Sequence, residues 1–142
     1  MKLKVKKLLP RAIMPTKAHQ DEDVGWDIYA SCDAEISAGF QERVPVDIAV
    51  EVPVGYYIEV HTKSSFAVRC LKAHLGIIDN GYRGDLGVLM VNYGSEDQQI
   101  RSGDKIAQLV IKKQEDIGWG IEECEELSDS VRGEKGFGSS GR

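Results

Sequence analysis

Cysteine is scarce and unpaired in this chain: Cys32, Cys70 and Cys124 form an odd set, separated by 38 and 54 residues. That spacing excludes a disulfide scaffold and points to free thiols, buried in the core of a protein from a reducing compartment. A Cys–His nucleophile would need His19, His61 or His74 to meet a thiol in space, and packed core thiols are the simpler reading. No run of Cys, His, Asp and Glu has the spacing of a zinc site, so no metal is expected on protein side chains alone. Basic residues are in deficit, 18 Lys plus Arg against 23 Asp plus Glu, which argues against a general binder of nucleic-acid backbones. Nor does any apolar run approach the roughly 20 residues that span a bilayer. The opening Met-Lys-Leu-Lys-Val-Lys-Lys-Leu-Leu lacks the uninterrupted apolar core of a secretion signal. These absences place the chain in the cytoplasm, or in the host cytoplasm for a viral protein, without a membrane or nucleic acid as partner.

What is present suits one domain. At 142 residues the chain can bury about two-thirds of its unfolded surface and needs no staple. Apolar residues recur with period two. Lys2, Lys4 and Lys6 oppose Leu3 and Val5, an edge strand with a charged, solvated face. Val44, Val46, Ile48, Val50 and Val52 alternate with Pro45, Asp47, Ala49 and Glu51, and Pro45 suits a strand end or an edge. Tyr56 to Thr62 is predicted to pair back through the Pro53-Val54-Gly55 turn. The stretches 86–93 and 105–113 are continuously apolar, as in strands covered on both faces. Asn80-Gly81 and Gly94-Ser95 read as turns, and 64–71 as one short helix with Ser64 or Ser65 near its N-cap. Many short strands with frequent turns define an all-β sandwich or barrel. The seven acids between Glu115 and Asp129, with no base among them, read as a solvated face before a tail.

Four segments carry chemistry. The tail Arg132-Gly-Glu-Lys-Gly-Phe-Gly-Ser-Ser-Gly-Arg142 contains the Gly-x-x-x-x-Gly spacing of a P-loop, but Ser139 stands where lysine is needed. It also contains Gly-x-Gly-x-x-Gly, but no helix can follow. What remains is an arm of exposed N–H groups, two hydroxyls, a forked cation and the ring of Phe137: a nucleotide-closing lid or a plain tail. In Gly76-Ile-Ile-Asp79-Asn-Gly-Tyr82-Arg-Gly84, Asp79 projects from a hairpin with dry surroundings, either as a turn cap or as a base. Lys63-Ser64-Ser65 offers a cation and hydroxyls at a helix start. Gly103-Asp-Lys-Ile-Ala-Gln108 sets an amide within a strand.

Taken in order with Val24-Gly-Trp-Asp27-Ile-Tyr-Ala30, these segments resemble the five motifs of the trimeric deoxyuridine triphosphatases over nearly the whole chain. The resemblance implies a distorted jelly-roll β-sandwich of short strands over residues 1–131, with residues 132–142 as a flexible arm closing over the site. It implies a homotrimer with active sites shared between subunits. The reaction it implies is hydrolysis of dUTP to dUMP and pyrophosphate by water attack on the α-phosphate, which limits uracil in DNA and supplies dUMP. Mg²⁺ would be the cofactor, carried by the triphosphate. Asp79 would deprotonate the water, with Asp27 in support. The main chain of Ala73, Gly76, Ile77 and Ile78 would read uracil, Tyr82 would pack on deoxyribose, and Gly87 would let the nucleotide approach. Lys63, Ser64, Ser65, Gln108, Arg132, Gly138, Ser139 and Ser140 would hold the phosphates, and Phe137 would stack on the base. Lys63 replaces the family's usual arginine, and Ser65-Phe66 its commoner Gly-Leu. Two other readings fit the same scaffold: a dCTP deaminase, and a nucleotide-sensing regulatory binder.

Overall fold

The computed structural model describes residues 1–136. Ten strands form, in chain order β1 (Lys4–Lys7), β2 (Trp26–Tyr29), β3 (Ala34–Ile36), β4 (Gln41–Glu51), β5 (Tyr56–Thr62), β6 (Leu71–Ala73), β7 (Ile77–Ile78), β8 (Leu86–Asn92), β9 (Gln98–Ile100) and β10 (Lys105–Lys113). One helical turn, α1 (Ser64–Ala67), follows β5. All pairings are antiparallel, in sheets ordered β1-β4-β8-β6 and β2-β10-β5-β7 with a small β3-β9 ribbon. The all-β sandwich anticipated from the alternation is therefore the architecture observed.

The core lies between the two larger sheets. Val44, Val46, Ile48 and Val50 of β4 and Val88 and Met90 of β8 come from one, and Ile28, Ile58 and Leu109 from the other; each is 2% exposed or less. Burial in β8 alternates, with Leu86, Val88, Met90 and Asn92 inward and the residues between them half-buried. The expectation of cover on both faces therefore fails for β8, and for β10 too, whose last three residues are exposed. Pro45 is not at the strand end, but the edge expectation holds locally. It lies inside β4 opposite Gly87 of β8, while β1 reaches only Ile48 to Glu51, so its other side meets no strand among the described residues. The register then slips to Ile48 opposite Leu86. A bulge asks for no ladder N–H from proline. Asp47, at φ 52°, carries the turn, and its carboxylate accepts Arg11 Nε at 2.6 Å. The 53–55 turn does not fold β5 back onto β4 but carries the chain from one sheet into the other.

The helix is shorter than its residues suggest. Lys63 is the N-cap, with no side-chain cap bond, and the turn ends at Ala67. Cys70 adopts φ 57°, and Leu71 then joins β6 against β8. Cys32 and Cys70 are half-buried and Cys124 is exposed, so the cysteines are free but not core thiols.

Asn92 ties one end of the sandwich together. It is fully buried, donates from Nδ2 to Ile36 O at 2.9 Å and Glu96 O at 2.8 Å, and accepts Gly94 N–H at 3.0 Å. Replacement by Leu strands those three main-chain groups and is expected to cost about 2–4 kcal/mol of unfolding free energy. Urea denaturation with an unchanged m-value reads that loss directly.

Candidate active site

Asp79 and Tyr82 stand at the mouth of a cavity of about 350 Å³. The cavity forms because β7 hangs on the edge of β5, Ile78 opposite Ile58 and Ile77 opposite Glu59, and buries only Ile78. β7 ends its sheet, so the side of its main chain away from β5 meets no strand among the described residues. Gly76, Ile77 and Ile78 line the cavity along this open edge, over an apolar floor that includes Ile28, Val60 and Leu109. Gly76 O accepts Val60 N–H at 2.9 Å, and the side of β7 turned away from β5 suits a flat heterocycle read by its edge.

Tyr82 folds back over Gly84 and donates its hydroxyl to Asp85 O at 3.1 Å. A Cβ at Gly84 would lie 2.3 Å from that hydroxyl oxygen, so a side chain there would displace the Tyr82 ring. The carboxylate of Asp79 makes no hydrogen bond among the described residues and is exposed in the single chain, not dry as its apolar neighbours suggested.

Besides apolar residues of the floor, three polar lining residues stand outside the expected set: Arg43, His74 and Asp85. The space above Gly87 belongs to Arg43, whose guanidinium carbon would lie 2.3 Å from a Cβ there and whose Nη2 meets Asp85 Oδ2 at 3.1 Å. Gly87 lines the cavity as expected, but the space directly above it admits Arg43. Ala73 stands apart from the group. It is buried in β6 outside the cavity, and its N–H and C=O are both taken by the hydroxyl of Thr62, at 3.0 and 3.2 Å.

A second cavity, of about 450 Å³, collects Asp27, Lys63 and Gln108 and shares no lining residue with the first. Asp27 of β2 pairs with Gln108 of β10, which pairs in turn with His61 of β5, and Lys63 follows one residue beyond β5. Lys63 Nζ donates to Asp27 Oδ1 at 2.5 Å and Lys105 Nζ to Oδ2 at 3.0 Å. Gln108 Nε2 lies 3.4 Å from Oδ1, and its side chain packs onto Gly25, where a Cβ would sit 2.9 Å away. Ser64 and Ser65 are exposed at the start of α1, beside Lys63. Arg132 is exposed, donates Nε to Lys135 O at 2.9 Å, and reaches neither cavity. Phe137, Gly138, Ser139 and Ser140 lie outside the described residues.

Burial pushes the Asp27 carboxyl up, but hydrogen bonds from Lys63 and Lys105, with their charges, outweigh it and hold the group below its ordinary 3.8. A depressed carboxyl adds stability that is complete above the unfolded value and lost as pH falls through the folded one. The stability difference between the protein and an Asp27→Asn variant is therefore expected to stay constant down to about pH 4 and to shrink below it, as urea denaturation across that range would show.

The two halves are far apart in one chain. Continuing the β5–β7 register sets Asp79 beside Tyr57, six residues along β5 from Lys63, or about 20 Å at strand rise. A triphosphate is too short to touch both.

The sequence matches the dUTPase family model over residues 11–141. It is 41% identical to the deoxyuridine 5'-triphosphate nucleotidohydrolase of Gloeothece citriformis, over 99% of this chain and 97% of that one. Among solved structures, the fold is similar to the Staphylococcus bacteriophage 80alpha dUTPase with dUPNHPP, at TM-score 0.90 and 30% identity over 99% of both chains. It is also similar to a mutant dUTPase from phage phi11 of S. aureus, described with a structural Mg(II) ion, at TM-score 0.82 and 26% identity over 91% of this chain and 100% of that one. With its strand order, its nucleoside-sized cavity and its ordered motifs, the chain belongs to the dUTPase family.

Proposed function

We propose that this chain hydrolyses dUTP to dUMP and pyrophosphate, with water attacking the α-phosphate under base catalysis by Asp79. The observation that carries this reading is the placement of Asp79 and Tyr82 at the mouth of the Gly76–Ile78 cavity in a chain of this family. The bound phage enzyme supports it, because its ligand dUPNHPP is a dUTP analogue. Uracil enters against the open edge of β7, where thymine's methyl group has no room and cytosine offers the wrong edge. Tyr82 closes on the sugar. In the cell the reaction would keep uracil out of DNA and supply dUMP.

Attack of water adds negative charge to oxygens already charged, so the rate rests on positioning and compensation. The second cavity supplies the compensation: Lys63 and Gln108, with Ser64 next to Lys63 in sequence, meet the phosphates, and Asp27 is the carboxylate that Lys63 pairs with before they arrive. No group of three or more His, Cys, Asp or Glu among the described residues could hold a metal ion. A Mg²⁺ ion would ride on the phosphate oxygens it prefers, where it neutralises their charge.

Because one chain separates its halves, the complete site takes Asp79 from one subunit and Lys63 from another, in a homotrimer. The segment after β10 supports this assembly: Ile117, Trp119, Ile121, Leu127 and Val131 are all more than half exposed along it, a stripe that suits a neighbouring subunit. Pyrophosphate release from dUTP, dTTP, dCTP and UTP, with and without Mg²⁺, tests the reading. Release from dUTP at least about 100-fold faster than from the other three is expected; comparable rates, or ammonia from dCTP, would overturn it.

A further inference from the structure

Asp27 is held between two lysines, and the second reaches it through an irregularity of the backbone. β10 pairs Gln108 with Asp27 and Ala107 with Ile28, then slips, so that Lys105 faces Tyr29. Side chains alternate across a strand, so an unbroken β10 would point Lys105 into the core beside Ala107 and Leu109. The extra residue is Ile106, fully buried next to buried Ala107, and the bulge turns Lys105 onto the face that carries Asp27 and Gln108. There its Nζ sits 3.0 Å from Asp27 Oδ2, while Lys63 occupies Oδ1. The Asp27 side chain is 8% exposed, that of Lys63 18% and that of Lys105 43%. In direct contact, one carboxylate faces two ammonium groups, so Asp27 keeps a cation if either lysine leaves. Glu22 and Asp23 also line this cavity, without a contact to either lysine ammonium among the described residues.

We propose that Lys105 is a positioning residue: by keeping Asp27 paired, it releases Lys63 to meet the triphosphate. The inference rests on the assignment of this cavity to the phosphates. A carboxylate so far from water gives up its last cation at high cost, and the long contact from Gln108 does not replace the charge. With Lys105 in place, Lys63 can swing toward an incoming phosphate and Asp27 keeps a cation. Without it, each phosphate that draws Lys63 away leaves a bare carboxylate beside new negative charge, and Lys63 stays captive. Gln108, packed on Gly25, holds the carboxylate's orientation while the exchange occurs.

Four variants test this: Lys105→Met, Lys105→Arg, Asp27→Asn and the Asp27→Asn, Lys105→Met double variant. Lys105→Met is expected to raise KM for dUTP about tenfold, with kcat held within about twofold and affinity for dUMP unchanged, while Lys105→Arg restores KM. In the Asp27→Asn background the loss of Lys105 should cost nothing further, because no carboxylate remains to capture Lys63. An unchanged KM in Lys105→Met overturns the proposal. So does a loss that persists in the Asp27→Asn background, which would mean direct contact with phosphate, and so does a parallel fall in dUMP affinity, which would mean general damage. Should the unaltered protein release no pyrophosphate from dUTP, the functional reading fails on its own. Calorimetry with inorganic tripolyphosphate then decides the role of Lys105 independently: the same tenfold pattern supports it, and equal binding by the protein and Lys105→Met refutes it.

Discussion

Replacing Asp79 by Asn is expected to lower turnover about 10²–10⁴-fold, the range a positioned base supplies, while nucleotide affinity stays within a factor of about two. The split between rate and affinity follows from geometry. Asp79 borders the cavity but makes no hydrogen bond to its walls among the described residues, so the change to an amide leaves the slot, the Tyr82–Asp85 contact and the β5–β7 pairing intact. What disappears is the capacity to accept a proton from water. Single-turnover kinetics with dUTP, set beside binding of an uncleavable analogue, separate the two quantities. An unchanged rate would remove Asp79 from the chemistry.

Ending the chain after Val131 is expected to reduce kcat by about 10²–10³, the scale of losing donors aimed at developing charge, and to leave thermal stability unchanged. Residues 132–136 are exposed and bond within their own turn: Arg132 to Lys135 O, and Gly133 N–H to Ser130 O at 3.1 Å. Removing them takes no partner from either sheet. The removed residues include Arg132, Phe137, Ser139 and Ser140, to which the resemblance gives the clamp on the triphosphate and the cover over uracil. Full activity in the shortened chain would show that closure by this arm has no part in catalysis.

Much of the architecture is legible in the period-two pattern, because a strand with one buried face writes its geometry into its residues. The alternating burial of β8 and the lysine-faced edge of β1 are of this kind, whereas β4 buries its inward row Val44, Val46, Ile48 and Val50 and also Asp47 and Ala49 between them. Bulges are not legible in that way. The slip at Asp47 and the slip at Ile106 each insert backbone without changing composition. The first lets Pro45 sit inside β4 on the stretch that only β8 pairs, and the second brings Lys105 onto the face of Asp27. Partner choice was illegible too: a turn such as 53–55 has the same residues whether it closes a hairpin or crosses between sheets.

Within the site, residues close in sequence landed together. Gly76, Ile77, Ile78, Asp79 and Tyr82 line one cavity because one short segment carries them all, although it is not the hairpin expected: β7 pairs with β5, and β8 lies in the other sheet. Asp27, Lys63 and Gln108 come from three parts of the chain, and only the adjacency of β2, β10 and β5 makes them neighbours. Arg43 escaped notice because alternation marks it only as an outward residue of β4. Its contact depends on Gly87 lying across the ladder with no side chain in the way. The exposure of Asp79 is unreadable for another reason: apolar neighbours in sequence do not enclose a carboxylate that the turn after β7 leaves exposed.

The division of the site between subunits can be tested by mixing two crippled proteins. One carries Asp79→Asn, the other Lys63→Met with Gln108→Leu, and the pair is unfolded together and refolded at equal amounts. Random assembly of trimers gives about a quarter of the sites an intact Asp79 from one chain and an intact Lys63 and Gln108 from another. Recovery of dUTP hydrolysis to about that fraction of the unaltered protein's activity, from partners that are each nearly inactive alone, is the result expected. Activity no greater than the sum of the two separate proteins would contradict it, and would mean that each chain works with its own Lys63.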